Sequence, residues 1–315
     1  MDFISALTAV IANGLLVVLG LTGNVFIIIC NLFFRSSGEK LHMGDMLVSC
    51  IAVSTVALDV SLYLSMVLFL LGGMCPNSNL TMQISTFFII VALSLNSWLI
   101  TWLCVYYCVK IVNLNNRVFL RLQQNISTVI CCCLAGTLPI IFLLGSFPFS
   151  AAVVNHSGNS TTQNNSCPPT ETMSNDLGQV TVPLFIMQNI VTLVLMMSSC
   201  CTIVVFLYGH IRQMQLSSPD ISGSSQENII RLAKKIMVLA LLYLTCTIYG
   251  TLPAIIQEIK YNKEYVLVLS LMCSVTCLGV TATLIAVNSK LRQKALSCMN
   301  GLRGLSDPSV FSTNL

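Results

Sequence analysis

Long apolar stretches alternate with short polar ones along the whole chain. Seven have the length of a membrane crossing, at about residues 5–30, 44–71, 82–110, 126–149, 181–208, 232–256 and 265–287. About 20 apolar residues in a helix rising 1.5 Å each span a hydrocarbon core about 30 Å thick. The runs are continuous rather than alternating, which predicts helices and not the strands of a membrane barrel. The expected fold is an all-α membrane protein, a bundle of seven transmembrane helices. Residues 1–298 form one membrane domain and residues 299–315 a short cytosolic tail. The first run reads as a retained span, because it outruns a signal-peptide core and no Lys or Arg precedes it.

Composition agrees. Of 315 residues, 55% are hydrophobic and only 8% charged, against about a quarter charged in soluble domains. Such a chain cannot cover its surface with charge, so lipid is its main solvent. Cytosolic loops are enriched in Lys and Arg. With the N-terminus outside, thirteen of the fifteen basic residues fall on the cytosolic side, and only Lys260 and Lys263 fall outside. The net charge of +4 therefore marks topology and not nucleic-acid binding. Glycosylation sequons start at Asn79 in the first outer loop and at Asn155, Asn159 and Asn164 in the second. Four on one expected side outweigh the chance value of one. A fifth, at Asn125, begins the fourth span on the cytosolic side and is expected to be silent. Twelve of the fifteen cysteines lie within spans, where small apolar packing is the ordinary role. Cys75 and Cys167 alone face the oxidising side, and a disulfide between them and two separate thiols both stay open.

The only two tryptophans, Trp98 and Trp102, lie in the third run. Lys110 marks the cytosolic edge of that span, so at 1.5 Å per residue Trp98 sits roughly 18 Å above it and Trp102 roughly 12 Å. Both are too deep for an interfacial belt. Spacings of three and four put Ser94, Trp98, Thr101, Trp102 and Val105 on one helical face. A face mixing large aromatics with hydroxyls suits a helix–helix contact or the wall of a small-molecule cavity. Asn96 lies off this stripe and suits helix–helix contact. Asp45 is near a cytosolic end, where water can hold its charge. Asp59 is deeper and is expected to face the bundle interior or water; a structural or switching role fits its level below Ser65 and Met66. Pro139, Pro148 and Pro253 are expected to kink or end their helices. No zinc spacing, phosphate loop, dinucleotide fingerprint or nucleophile elbow occurs, so no catalytic residue, metal or cofactor is expected.

The cytosolic ends of the spans carry recognisable words. "GNVFIIICN" in the first span resembles "NxFIxLVN" of the type 2 taste receptors, the bitter receptors. "GDMLVSCIAVS" is similar to that family's "xDxILxxLAxSR", and "YYCVKI" to its "FYxxKI". "LYGHIRQMQL" closely resembles "LWxHxxxMQL", "RLAKKIM" is similar to "HxxALKxxI", and "TLIAVNSKLRQKALS" to "LIxxNxKLKxxxLS". The words run in order over residues 23–297. The resemblance implies a G-protein-coupled receptor of the plasma membrane that binds small, often bitter compounds in an outward-facing cavity and activates a gustducin-like heterotrimeric G protein. A pheromone-type chemosensory receptor and, less well, a small-molecule transporter are the competing readings. The resemblance implies a ligand contact at Trp98, with Trp102 closing the same pocket. Aligned positions add Thr101, Ser65, Met66, Asn189, Thr192, Tyr243, Thr247 and Ser270. For the cytosolic cleft and switch it implies Tyr107, Lys110, His210, Met214, Gln215, Lys234 and Asn288. Three residues depart from the family pattern: Thr55 stands in place of Arg, Val280 in place of His, and Asp59 is unusual.

Overall fold

The computed structural model describes residues 3–32, 42–71, 80–112, 117–158, 175–217, 223–255, 263–288 and 290–297. Side chains at several helix ends lie outside that description. Seven long helices run through these residues: α1 (Phe3–Leu32), α2 (Met43–Leu71), α3 (Leu80–Ile111), α4 (Arg117–Gly158), α5 (Asn175–Ser217), α6 (Gly223–Ile255) and α7 (Lys263–Val287). A short helix, α8, covers 290–297. Six are long and apolar enough to cross a membrane: α1 to α5 and α7. The first three helices and α7 end within a few residues of their apolar runs. The others outrun theirs, because polar residues continue a helix beyond the hydrocarbon boundary. The helices also continue through Pro139, Pro148, Pro183 and Pro253. None of the three prolines singled out in sequence ends its helix. Neighbouring helices and nearby hydroxyls can satisfy the carbonyl that a proline leaves unpaired inside a bundle.

Lipid tails are as apolar as leucine, so burying apolar surface gives no drive to pack such helices together. Close van der Waals contact and interhelical hydrogen bonds do that work. The distribution of side chains fits. Val205, Leu15 and Leu143 point outward, each more than three-fifths exposed. Asn13, Asn24, Thr55, Thr101 and Thr192 are wholly buried. The third helix is the hub, touching α2, α4, α5 and α6. Its buried Leu99, Ile100, Leu103 and Cys104 join Leu47 and Ile51 of α2, Met196 and Ile203 of α5 and Ile236 of α6 in one core.

Two glycines mark where backbones come closest. A Cβ on Gly23 would lie 2.7 Å from Thr281 Cγ2, where α1 meets α7. A Cβ on Gly145 would lie 2.5 Å from Val91 Cγ2, where α4 meets α3. Gly136 has no neighbour within 4 Å and faces open space.

Gly23→Ala should therefore destabilise the bundle by about 1–3 kcal/mol, the usual cost of overpacking. Gly136→Ala should be neutral or stabilising, since alanine is favoured over glycine in a helix by about 1 kcal/mol. Thermal unfolding of the detergent-solubilised protein checks both; equal midpoints for the two variants would contradict the close approach of α1 and α7.

Candidate ligand-binding site

On α3 the tryptophan pair is stacked, with ring centroids 6.5 Å apart and planes inclined by 21°. Helical spacing sets this up, since residues four apart lie one above the other on a helix face. Both rings are half-buried. The Trp102 indole Nε1 is buried without a hydrogen-bond partner among the described residues, an uncommon and costly state for a donor. The neighbouring Ser94 hydroxyl is buried and unpartnered too.

Thr101 ties this face to α5. Its hydroxyl donates to the Ser97 carbonyl at 2.8 Å and reaches the Thr192 carbonyl at 3.4 Å. The Thr192 hydroxyl donates to the Asn189 carbonyl at 3.0 Å and lies 3.5 Å from the Tyr243 hydroxyl of α6. Thr101, Thr192 and Tyr243 thus join three helices. Asn189 is buried with its amide donating to the Phe185 carbonyl at 2.9 Å, and Thr247 donates to the Tyr243 carbonyl at 2.9 Å.

Two of the expected lining residues fall in another group. Asn13 of α1 donates its amide to Ser270 at 2.8 Å and to the Met66 sulfur at 3.4 Å. Met66 and Ser270 are therefore buried at the α1–α2–α7 seam, held by an asparagine. Ser65 is half-buried next to Met66 in sequence.

That seam continues toward the C-terminal ends of α1 and α7. Asp59 is 1% exposed and lies near Cys277; Oδ2 lies 3.0 Å from where a Cβ on Gly20 would sit, and Oδ1 has no partner among the described residues. Below it Thr281 donates to Asn24 Oδ1 at 3.1 Å. Lower still Asn31 reaches Ser49 at 3.0 Å and the Asp45 carbonyl at 3.3 Å. Asn288 donates to Asp45 Oδ1 at 2.8 Å, so this carboxylate is held by a side chain and only half-exposed, not simply solvated as its position suggested. The Asn288 carbonyl oxygen also accepts the Lys290 backbone N–H at 3.1 Å, which caps α8. Asn288 therefore belongs to this seam and not to the α5–α6 side. Thr55, where the resembling family has arginine, is buried; it donates to the Ile51 carbonyl and accepts the Asn96 amide at 3.3 Å. Asn96 thus makes the helix–helix contact expected of it. Val280 is packed in the core.

Of the remaining cytosolic candidates, Tyr107 is half-buried against Tyr106, and exposed Lys110 holds its ammonium 5.7 Å from the Tyr106 ring centre. Lys234 is exposed between α6 and α7. His210, Met214 and Gln215 lie on the helical backbone of α5, with side chains outside the described residues. Asn155 is likewise on the α4 backbone, and Asn79, Asn159, Asn164, Cys75 and Cys167 lie outside the described residues.

The sequence reading passed over Asn13 and Gln188. Gln188 is nine-tenths buried one turn before Thr192, and neither side-chain amide atom has a partner among the described residues. The available signal was general: a polar side chain inside an apolar run turns inward.

Apolar outside, polar within and threaded by several membrane-length helices, the molecule is a multi-pass helical membrane protein. A family model described as taste receptor protein (TAS2R) matches residues 1–303. Taste receptor type 2 member 102 of Mus musculus is 28% identical, over 91% of this chain and 85% of its own. Member 140 of Rattus norvegicus is 23% identical over 94% and 95%, and member 42 of Pongo pygmaeus 24% identical over 93% of each. The chain belongs to the taste receptor type 2 family: it is a bitter taste receptor, a multi-pass protein of the plasma membrane, and not an enzyme.

The Asn288 contacts give a direct expectation. Asn288→Ala removes a charge-assisted bond and a helix cap, together about 2–4 kcal/mol of local stability. Hydrogen exchange of amides 290–297 should accelerate by about one and a half to three orders of magnitude; unchanged exchange would show that Asn288 does not hold α8.

Proposed function

We propose that this receptor binds small amphipathic agonists in an outward-facing cavity walled by Trp98 and Trp102 of α3, Gln188, Asn189 and Thr192 of α5 and Tyr243 and Thr247 of α6. The observation that carries this reading is the stacked tryptophan pair with its unpartnered indole N–H, on the same helix as the Thr101 link to α5 and α6. A flat aromatic wall with a few unpaired polar atoms is what orients a small ligand. Met66 and Ser270 support the cavity from the α1 side through Asn13, with Ser65 beside them. An agonist that fits one arrangement of α3, α5 and α6 better than another shifts the population by that difference in affinity. Tyr243 sits at the joint, because its hydroxyl meets α5 and its helix carries the cytosolic residues.

In this reading all seven long helices, α6 included, cross the membrane. The N-terminus is outside, residues 299–315 are a cytosolic tail, and the second outer loop is glycosylated. A gustducin-like heterotrimeric G protein engages the cytosolic ends of α3, α5 and α6 around Tyr107, Lys110, His210, Met214, Gln215 and Lys234. The basic bias of the expected cytosolic loops supports the orientation.

The test is calcium release in cells carrying a gustducin-tailed G protein, with receptor at matched surface density. Compounds that activate the wild type should lose at least about tenfold in potency on Trp98→Ala. A factor of ten is about 1.4 kcal/mol, and truncating a buried aromatic anchor costs about 2 kcal/mol or more. Unchanged potency would move the site elsewhere. Gln188→Leu should reorder the agonists, weakening those that hydrogen-bond and sparing apolar ones; a uniform change would remove Gln188 from the site.

Orientation has its own check. The wild type should shift in electrophoretic mobility on glycosidase treatment. A variant with Asn79, Asn155, Asn159 and Asn164 changed to Gln should not, although Asn125 is kept. A residual shift would reverse the assignment of the α4 end.

A further inference from the structure

The cytosolic ends of α6 and α7 frame a cleft of about 340 Å³, lined by Arg231, Lys234, Lys235, Val238, Ala282, Thr283 and Ala286. Nothing in the agonist or G-protein reading accounts for its shape. The two helices run in opposite directions, so its lining is layered. Along α6, Arg231, then Lys234 and Lys235, then Val238 follow about a turn apart; Lys235 reaches Ala286 of α7, and Ala282 lies one turn before Ala286. The lining surface is almost wholly apolar; Arg231, Lys234 and Lys235 contribute their stems to it and carry their charges at its edge. Lys235 donates to the Ala286 carbonyl and so bridges the two helices. Arg231 and Arg292 are close enough for their charges to bear on the Lys235 ammonium. Like charges gathered at one point favour an anion that can be shared between them. Arg231, Lys234, Val238 and Ala282 are all exposed, so the cleft opens outward from the bundle and not into its interior.

We propose that this cleft is a binding site for an anionic phospholipid of the cytosolic leaflet. The phosphate of the headgroup sits among Arg231, Lys234 and Lys235, and the first part of an acyl chain lies along Val238 and Ala282. The order of the layers matches that of a lipid in its leaflet, with charge at the surface and hydrocarbon below. Basic clefts between transmembrane helices on the cytosolic side are suited to such headgroups. An acidic peptide would match the rim, but it has no use for an apolar floor that continues into the membrane. A lipid held here ties α6 to α7 near their cytosolic ends. The binding reading itself needs only the cleft and its charges, and would survive failure of the agonist site.

The experiment uses the full-length receptor in nanodiscs, where both faces are accessible. The discs contain phosphatidylcholine alone or with a tenth of phosphatidylinositol 4,5-bisphosphate, and lipid retained on the receptor is measured by native mass spectrometry. Each surface charge contributes about a factor of five to attraction for anionic lipid. Arg231→Gln with Lys234→Gln should therefore weaken retention roughly thirtyfold. Lys110→Gln, a loss of one charge on α3, should leave it unchanged rather than weaken it about fivefold. Ala282→Trp, which fills the floor and keeps every charge, should also lose the lipid, and it answers the question if the double variant does not fold. Soluble inositol trisphosphate should compete poorly. Equal retention in wild type and the two cleft variants would overturn the site. A loss of about fivefold in Lys110→Gln would reduce it to diffuse charge. Competition by the soluble headgroup as strong as by the whole lipid would overturn a lipid site in favour of a free phosphate.

Discussion

A polar group in the hydrocarbon of a membrane has no water to turn to, so it must find its partner inside the protein. That requirement organises this bundle. Each interhelical hydrogen bond contributes only about 0.6 kcal/mol on average and about 1.7 kcal/mol at most. No single one holds the helices. Their value lies in register, because each contact is available only when two helices are correctly rotated and correctly offset.

The α1–α7 seam shows this most clearly. Asn13 meets Ser270 and Asn24 meets Thr281, and both pairs are 257 residues apart in sequence. A constant separation means that the two helices run parallel without slipping. Gly20 and Cys277 stand at the same offset, with Asp59 of α2 between them. Gly23 lets the backbones close at the level of Thr281. On both helices the contact residues are spaced by seven and then four, which keeps one face inward. The result is a frame of α1, α2 and α7, closed beyond the C-terminal end of α7 by Asn288 on Asp45. The α3–α5–α6 side is joined more loosely. Its hydroxyl contacts between helices are long, at 3.4 Å and 3.5 Å, and buried polar atoms without a partner among the described residues occur on both sides, at Asn13, Asp59 and Ser274 as well as at Ser94, Trp102 and Gln188.

Much of this was legible in the sequence. Hydropathy located α1, α2, α3 and α7 closely, because their apolar runs and their helices nearly coincide. It fell short on α4, α5 and α6, whose polar ends continue as helix where hydropathy has no signal. Depth and spacing identified the tryptophan stripe, and Asn96 and Asp59 were correctly turned inward. Pairing was not legible. An asparagine at 13 and a serine at 270 carry no mutual mark, so the sequence did not show that Ser270 and Met66 share the Asn13 amide. Gln188 was invisible for a related reason, since only the packed structure reveals that its amide is both buried and unmatched. The charge of Asp45 was left to water because its neighbour, Asn288, is 243 residues away.

The two tryptophans make the central claim directly measurable, since the chain contains no others. All indole fluorescence of the purified receptor comes from the proposed cavity wall. The measurement is the emission spectrum of the receptor in nanodiscs during titration with a compound that activates it in cells, chosen not to absorb at the excitation or emission wavelengths. The account predicts a saturable change in intensity or wavelength that follows occupancy and is lost when an inactive analogue is used. An emission spectrum that stays constant while an activating compound saturates the receptor would place the ligand away from Trp98 and Trp102 and contradict the account.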